Sequence, residues 1–227
     1  MSSNSSAPSQ TGAPAAVQVQ IEALEGDQRL DAIGHKIAAL GRPLADGGVG
    51  RALGGAWLGH TPHPMLTDLP IGFFTSSFVL DLVGGRSART ASQRLIGLGL
   101  LSVVPTALTG VTDYVRQSDD PRIRRVGAAH AVGNGLAAFL YLRSWTARRR
   151  GHHLIGVVFG LLGAGAATFG GALGGHMAFA RAAGTGTRGD AVDHAVADAS
   201  PGDGHEFDRG AAIGEALDVD EVVDVRV

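Results

Sequence analysis

Six ionisable residues stand at the ends of long apolar segments, and their types can bind metals. They are His60, His63, Asp68, Asp113, His130 and His176. Imidazoles and carboxylates together suit iron, copper, zinc or manganese, and two facing imidazoles can ligate a b-type haem. Three prolines in the stretch Gly59–Gly72 predict a rigid, non-helical turn that holds the first two histidines. The following helix is predicted to begin near Thr67 or Asp68, with Pro70 in its first turn.

Four apolar segments follow one another in the middle of the chain, at residues 65–83, 95–115, 126–142 and 154–180. A hydrocarbon core of about 30 Å needs about 20 apolar residues, and none of the segments shows the repeating polar face of a soluble helix. Short, arginine-bearing gaps separate them. The sequence therefore predicts an all-α integral membrane protein, a four-helix up-down bundle in the inner membrane with both termini on the same side.

An up-down bundle brings the start of the first helix, the end of the second, the start of the third and the end of the fourth to one membrane face. Ionisable groups at that depth turn inward and pair. The candidate metal or haem ligands at this face are His60, His63, His130, His176 and Asp113. The candidate hydrogen-bonding partners around them are Asp68, Asn134 and Thr109. The alternative for the hydroxyls is that they bond back to their own helix.

The other polar and small residues of this region predict no further ligand site. Asp81, near the opposite membrane face, is expected to stand alone, and His152 and His153 are expected to be solvated. In the fourth segment small residues four positions apart predict close packing against a neighbouring helix. They are Gly163, Ala167, Gly171 and Gly175, with Gly156 and Gly160 as a separate pair.

The two ends of the chain differ from the apolar middle. Residues 1–16 predict a disordered amino terminus that is not a signal peptide. Residues 17–56 predict a peripheral amphipathic region of one or two helices, packed on the membrane surface or on the bundle, followed by a Gly-rich hinge. A short partner-binding helix is the alternative there. Residues 57–186 are the transmembrane domain, and residues 187–227 are an acidic, disordered tail.

Composition narrows the function. The chain has no cysteine, so disulfides, thiolate zinc sites, iron–sulfur clusters and covalently attached haem are excluded. Its net charge of −2 gives no indication of a nucleic-acid partner. The arginines are divided almost evenly between the two sides of the predicted bundle, so the positive-inside rule leaves its orientation open.

Several short motifs run through the apolar middle. They are HxxHP at His60–Pro64, DLPIG at Asp68–Gly72, LDLVGG at Leu80–Gly85, PTALTGVTD at Pro105–Asp113, the single His130, and GGH at Gly174–His176. On the basis of these motifs, residues 53–186 resemble a family of uncharacterised bacterial membrane proteins, the domain of unknown function 2231. The resemblance implies a four-helix membrane domain without an established activity. Some family members continue into a Rieske iron–sulfur domain, which implies a Rieske-type redox partner.

Three functions stay open from the sequence. The first is a redox-associated membrane protein that binds a transition metal or a b-type haem through the His/Asp cluster. The second is a structural or partner-binding membrane subunit, in which the same residues only hold helix ends together by hydrogen bonds. The third is a small transporter or proton-conducting protein that uses the polar helix faces, although no internal inverted repeat supports it.

Overall fold

The computed structural model describes residues 15–184, with side chains from residue 18 to residue 178. Within that range the chain is all-α. The helices are α1 (Ala15–Gly26), α2 (Arg29–Ala45), α3 (Gly47–Leu53), α4 (His63–Val83), α5 (Arg89–Gln117), α6 (Pro121–Arg149) and α7 (His153–Gly184). The two predicted disordered ends, residues 1–16 and 187–227, lie outside the described residues, except that residues 15 and 16 begin α1.

Four long helices, α4 to α7, form what we call the helix core. Consecutive helices of the core contact each other, most extensively α6 with α7 and α4 with α5, and α4 also meets α7. Three apolar stretches are long and apolar enough to cross a membrane: His63–Val83, Arg89–Gln117 and His153–Ala178. These support the prediction of membrane-spanning helices. The apolar stretch of α6 is interrupted by His130 and Asn134 and bounded by arginines, and its crossing stays a prediction.

The start of α4 differs from the prediction. Pro62 precedes the first helical residue and Pro64 lies in the first turn, where the missing N–H of proline removes no helical hydrogen bond. The helix therefore begins at His63, and the expected non-helical turn holds only His60. Pro70 lies inside the helix and not in its first turn.

Short loops join the core helices and set their direction. Gly85, with a φ of 59°, turns the chain between α4 and α5, and Gly151, with a φ of 83°, does so between α6 and α7. Between α5 and α6 the Asp120 side chain accepts a hydrogen bond from the N–H of Arg122 at 2.8 Å and caps α6. Consecutive helices joined by such short loops run antiparallel.

The helix core has two ends. The cap end holds the starts of α4 and α6 and the ends of α5 and α7, and α1, α2 and α3 pack there. The arginine end holds the α4–α5 and α6–α7 connections, residues 81–94 and 143–156. At the cap end, Ile21 of α1 is buried with Val126 of α6 and Leu173 of α7. The amino-terminal helices thus pack on the core, which was one of the two predicted positions.

The predicted Gly-rich hinge is mostly helical. α2 continues to Ala45, and α3 begins at Gly47. The reason is close packing: Gly41 and Gly50 are buried, and a Cβ on Gly41 would overlap the side chain of Val111 in α5. Glycine here permits contact between elements, so a stretch that looks flexible in sequence is held by its neighbours.

Candidate functional site

His130 joins α6 to α7 at the cap end. Its Nδ1–H donates to the carbonyl oxygen of Gly170 at 2.7 Å, and the Asn134 amide nitrogen lies 3.1 Å from its Nε2. The same amide nitrogen lies 3.3 Å from Nδ1, so it lies over the ring and not in line with the Nε2 lone pair. A Cβ on Gly174 would lie 2.8 Å from the His130 ring, so the ring packs directly on α7. His130 therefore links two helices through its bond to Gly170.

His63 joins α4 to α5. Its Nδ1–H donates to the carbonyl oxygen of Thr106 at 2.9 Å, and the Thr106 hydroxyl donates back to the carbonyl oxygen of Leu66 at 3.0 Å. The Thr109 hydroxyl donates to the carbonyl oxygens of Thr106 and Pro105, both at 3.0 Å. Thr109 therefore bonds back to its own helix and shares an acceptor with His63.

Asp113 lies close to His63, one helical turn from Gly110, on which the His63 ring packs. Its carboxylate has a side-chain hydrogen bond with Thr61 and lies within electrostatic range of His63 and Arg116. Within the described part of the chain, the Oδ1 atom of Asp113 is buried and has no hydrogen-bond partner. The structure thus brings His63 close to Asp113.

The other candidates face elsewhere. Nε2 of His176 lies 3.2 Å from Oε1 of Glu25, so this histidine links α7 to α1. His60 is exposed, and its Nδ1–H donates to the carbonyl oxygen of Thr61 at 3.1 Å. Asp68 is also exposed. The five candidate ligands therefore do not converge on one point.

The residues at the cap end do not fit a shared metal or haem. Among the described residues, no group of three His, Asp or Glu side chains is placed to hold one metal ion. Two cavities at this end, one beside Glu22 and Arg125 and one beside Trp57 and Pro105, have no histidine in their walls. A haem between His130 and His176 would need both rings directed at one point, yet His130 bonds to Gly170 of α7 and His176 to Glu25 of α1.

The arginine end contains a buried ion pair that the sequence did not predict. Arg148 binds Asp81 through two hydrogen bonds, Nη1 to Oδ1 at 2.8 Å and Nη2 to Oδ2 at 2.6 Å. Their side chains are only 2% and 8% exposed. The Ser92 hydroxyl donates to Oδ1 of Asp81 at 2.7 Å and accepts from Nη1 of Arg148 at 2.9 Å. The prediction that Asp81 stands alone is therefore wrong.

Further residues complete this network. Nε of Arg148 donates to the Ser144 hydroxyl at 3.2 Å, and that hydroxyl donates to the carbonyl oxygen of Gly156 at 2.5 Å. His153 lies 3.7 Å from the Asp81 carboxylate, so the prediction that it is solvated is wrong, whereas His152 is exposed. The network connects all four core helices. A signal was present in the sequence. Ser77, whose hydroxyl lies 2.9 Å from that of Ser92, is four residues from Asp81 on the same helix face, and Ser144 is likewise four residues from Arg148.

The packing face of α7 has a different register from the predicted one. A Cβ on Gly163 would lie 3.1 Å from the Tyr141 ring, and one on Gly170 would lie 2.5 Å from the Asn134 side chain. A Cβ on Gly171 or Gly175 would meet nothing within 4 Å. The glycines that face α6 are Gly156, Gly160, Gly163, Gly170 and Gly174.

Helix geometry explains this correction. Steps that alternate between three and four residues stay on one face, whereas each four-residue step rotates by about 40° in a helix of about 3.6 residues per turn. Gly175 is therefore about 120° from Gly163 around α7. Gly163 and the partly buried Ala167 lie on or near the contact face, but Gly171 and Gly175 turn away from it.

Asp31 fastens α2 to the start of α6. Its Oδ1 accepts from Nη2 of Arg124 at 2.9 Å and its Oδ2 from Nη2 of Arg125 at 2.9 Å. The hydrogen bonds from Arg125, and to a smaller extent from Arg124, lower the pKa of Asp31 from 3.8 to about 2. The ion pairs therefore persist to a pH at which ordinary carboxylates are protonated.

We expect Asp31→Asn to lower the melting temperature at neutral pH but not near pH 2. Because the folded-state pKa of Asp31 lies below its unfolded value, its ionisation stabilises the fold above 3.8, and this stabilisation is lost as the pH falls toward about 2. The measurement is thermal melting in a non-ionic detergent at several pH values. Asp46→Asn, at an exposed carboxylate, is the control. A difference from wild type that does not change with pH would contradict the prediction.

The comparisons with known proteins agree with this picture at the level of the family. No curated protein and no solved structure matches the chain. Residues 59–187, more than half of the sequence, match the model of a family described as predicted membrane proteins. The matched range begins just before His60 and includes α4, α5 and α6 and the described part of α7. The chain therefore belongs to the DUF2231 family of predicted membrane proteins.

Proposed function

We propose that this protein is a structural or partner-binding membrane protein. In this proposal α4 to α7 cross the inner membrane as an up-down bundle, both termini lie on one side, and the His and Asp residues of the cap end hold the helix ends together. The observation that carries the proposal is that His63, His130 and His176 each hydrogen-bond a group on a different neighbouring helix.

The other histidines follow the same pattern. His63 links α4 to α5, His130 links α6 to α7, and His176 links α7 to α1. Each of these hydrogen bonds joins a different pair of helices, so together they would hold several helices in place. Single bonds of this kind between membrane helices contribute about 0.6–2 kcal/mol, so three of them are a substantial part of the stability of a small membrane domain.

Metal binding with a redox role is the second candidate, and Asp113 favours it. Its Oδ1 is buried without a partner among the described residues. The nearby His63 donates its Nδ1–H to a backbone carbonyl oxygen, as metal-binding histidines commonly do. One imidazole and one carboxylate are fewer than the four ligands of a closed transition-metal site. A b-type haem and a Rieske-type partner have no further support. The transporter hypothesis is weakened because the hydroxyls of Thr106 and Thr109 are bound to backbone carbonyl oxygens of α4 and α5.

Metal analysis and stability measurements on the purified full chain test the proposal. Protein from metal-replete cells is expected to contain far less than one metal per chain and to show no haem Soret band. His130→Leu is expected to lower the free energy of unfolding by about 1–3 kcal/mol, because it leaves the carbonyl oxygen of Gly170 without its partner. The control His35→Gln, at an exposed position, is expected to have no effect.

The opposite outcome is equally specific. One metal or haem per chain, lost in His63→Gln or Asp113→Asn, would overturn the structural proposal and establish the metal-binding one. A His130→Leu variant as stable as wild type would show that the His130 hydrogen bonds do not hold α6 to α7.

A further inference from the structure

The arginine end has an excess of positive charge that no carboxylate in the described part of the chain neutralises. The exposed arginines there are Arg86, Arg89, Arg94, Arg143, Arg149 and Arg150. No Asp or Glu occurs between residues 82 and 112 or between residues 121 and 184. The one acid at this end, Asp81, is already bound to the buried Arg148. Within the described residues, none of the six exposed arginines takes part in an ion pair.

The cap end shows the opposite situation. Arg124 and Arg125 are both bound to Asp31, and Arg116 donates to the carbonyl oxygen of Gly50 at 2.7 Å. Further carboxylates, among them Glu22, lie on the amino-terminal helices. The two ends carry similar numbers of basic residues, but they differ in their acids. Among the described residues, every carboxylate except that of Asp81 belongs to the cap end.

Two of the exposed arginines are held in place by aromatic rings. The guanidinium carbon of Arg149 lies 4.8 Å from the centroid of the Trp145 ring, and that of Arg143 lies 5.6 Å from the centroid of the Phe159 ring. A guanidinium group stacked on an aromatic face keeps its edge N–H donors free for an anion. Trp145 is also of the residue type that membrane proteins place at the headgroup level.

The position of these groups defines the anion. The arginines lie near the ends of the apolar stretches. The first stretch ends at Val83, the second begins at Arg89, and the last begins at His153. In a bilayer that depth is occupied by lipid phosphates, and anionic headgroups attract basic residues near the surface. We propose that the arginine end is a binding surface for anionic phospholipid headgroups of the surrounding leaflet. This inference is independent of whether the cap end binds a metal.

Competition between two lipids tests this assignment. The full chain in detergent is mixed with equal amounts of phosphatidylglycerol and phosphatidylcholine of the same acyl chains, and retained lipid is counted by native mass spectrometry. Wild type is expected to prefer phosphatidylglycerol. Arg86→Gln combined with Arg150→Gln is expected to reduce that preference at least about fivefold, the change expected for removing one basic contact near a charged membrane surface. Both positions are exposed, which favours normal folding.

The matched control removes the same charge from the opposite end. Arg42→Gln combined with Arg51→Gln, both exposed at the cap end, is expected to leave the preference unchanged. An equal loss in both double variants, or no preference in wild type, would overturn the proposal. A second measurement needs no variant: the wild-type preference is expected to fall as the salt concentration rises from about 0.05 to 0.5 M, since salt screens exposed charges. A preference that salt does not change would also overturn it.

Discussion

Replacing Arg148 with methionine is expected to lower the free energy of unfolding by about 3–5 kcal/mol, because it leaves the buried carboxylate of Asp81 without its partner. The two side chains form a bidentate pair and are almost fully buried. The same replacement also removes the hydrogen bonds from Arg148 to Ser92 and Ser144. Unfolding of the purified protein by heat and by a denaturing detergent measures the loss.

The double variant separates the charge from the packing. Replacing a buried ion pair by apolar residues of similar volume is often neutral or stabilising, so adding Asp81→Leu to Arg148→Met is expected to restore much of the lost stability. Arg150→Met, two positions away and exposed, is the control and is expected to change stability by less than about 0.5 kcal/mol. Equal stabilities of the Arg148 and Arg150 variants would show that the pair contributes nothing.

Replacing Gly174 with leucine is expected to destabilise the contact between α6 and α7 by about 1–3 kcal/mol or more, because overpacking displaces neighbouring side chains. Even a Cβ there would come 2.8 Å from the His130 ring, and moving that ring breaks its bond to Gly170. Gly175→Leu places the same side chain one position along the helix, where a Cβ meets nothing within 4 Å. It is expected to leave the melting temperature nearly unchanged.

These two variants decide between the two registers of α7. The four-residue spacing of small residues in the sequence assigned Gly171 and Gly175 to the contact. The structure assigns Gly170 and Gly174. If Gly175→Leu destabilised the protein and Gly174→Leu did not, the register in the structure would be wrong. Gly171→Leu and Gly170→Leu form a second matched pair with the same expectation.

The long membrane helices could be predicted from the sequence because their signal is local. Apolar stretches of about 20 residues have few alternatives, and the structure extends the predicted segments by only a few residues at most ends. The start of α4 was misplaced because proline was treated as a helix breaker, although Pro64 is tolerated in a first turn. The interpretation of proline depends on where the helix begins, which the composition of the stretch does not fix.

The polar contacts were harder to predict because their partners lie far apart in the chain. Asp81 and Arg148 are 67 positions apart, and the sequence placed Arg148 in a loop where it counted only as a basic residue. The alignment of helix ends predicted a common location for His63 and Asp113, and the His63 ring packs on Gly110, three residues before Asp113. The alignment did not predict that His176 would turn toward Glu25, because that requires the amino-terminal helices to pack on the cap end.

The contact between α1 and α7 has a consequence for the order in which the chain is assembled. Glu25 and His176 are 151 positions apart, and at synthesis rates of about 5–20 residues per second, α1 leaves the ribosome on the order of ten seconds before its partner. During that interval Ile21 has no Leu173 to pack against. The amino-terminal helices are thus synthesised first and pack on α5 and α6 once those helices are made, and their contact with α7 forms last. A chain that stops before α7 is finished leaves Ile21 without Leu173 and Glu25 without His176, so it differs from the finished protein in a way that cellular quality control can detect.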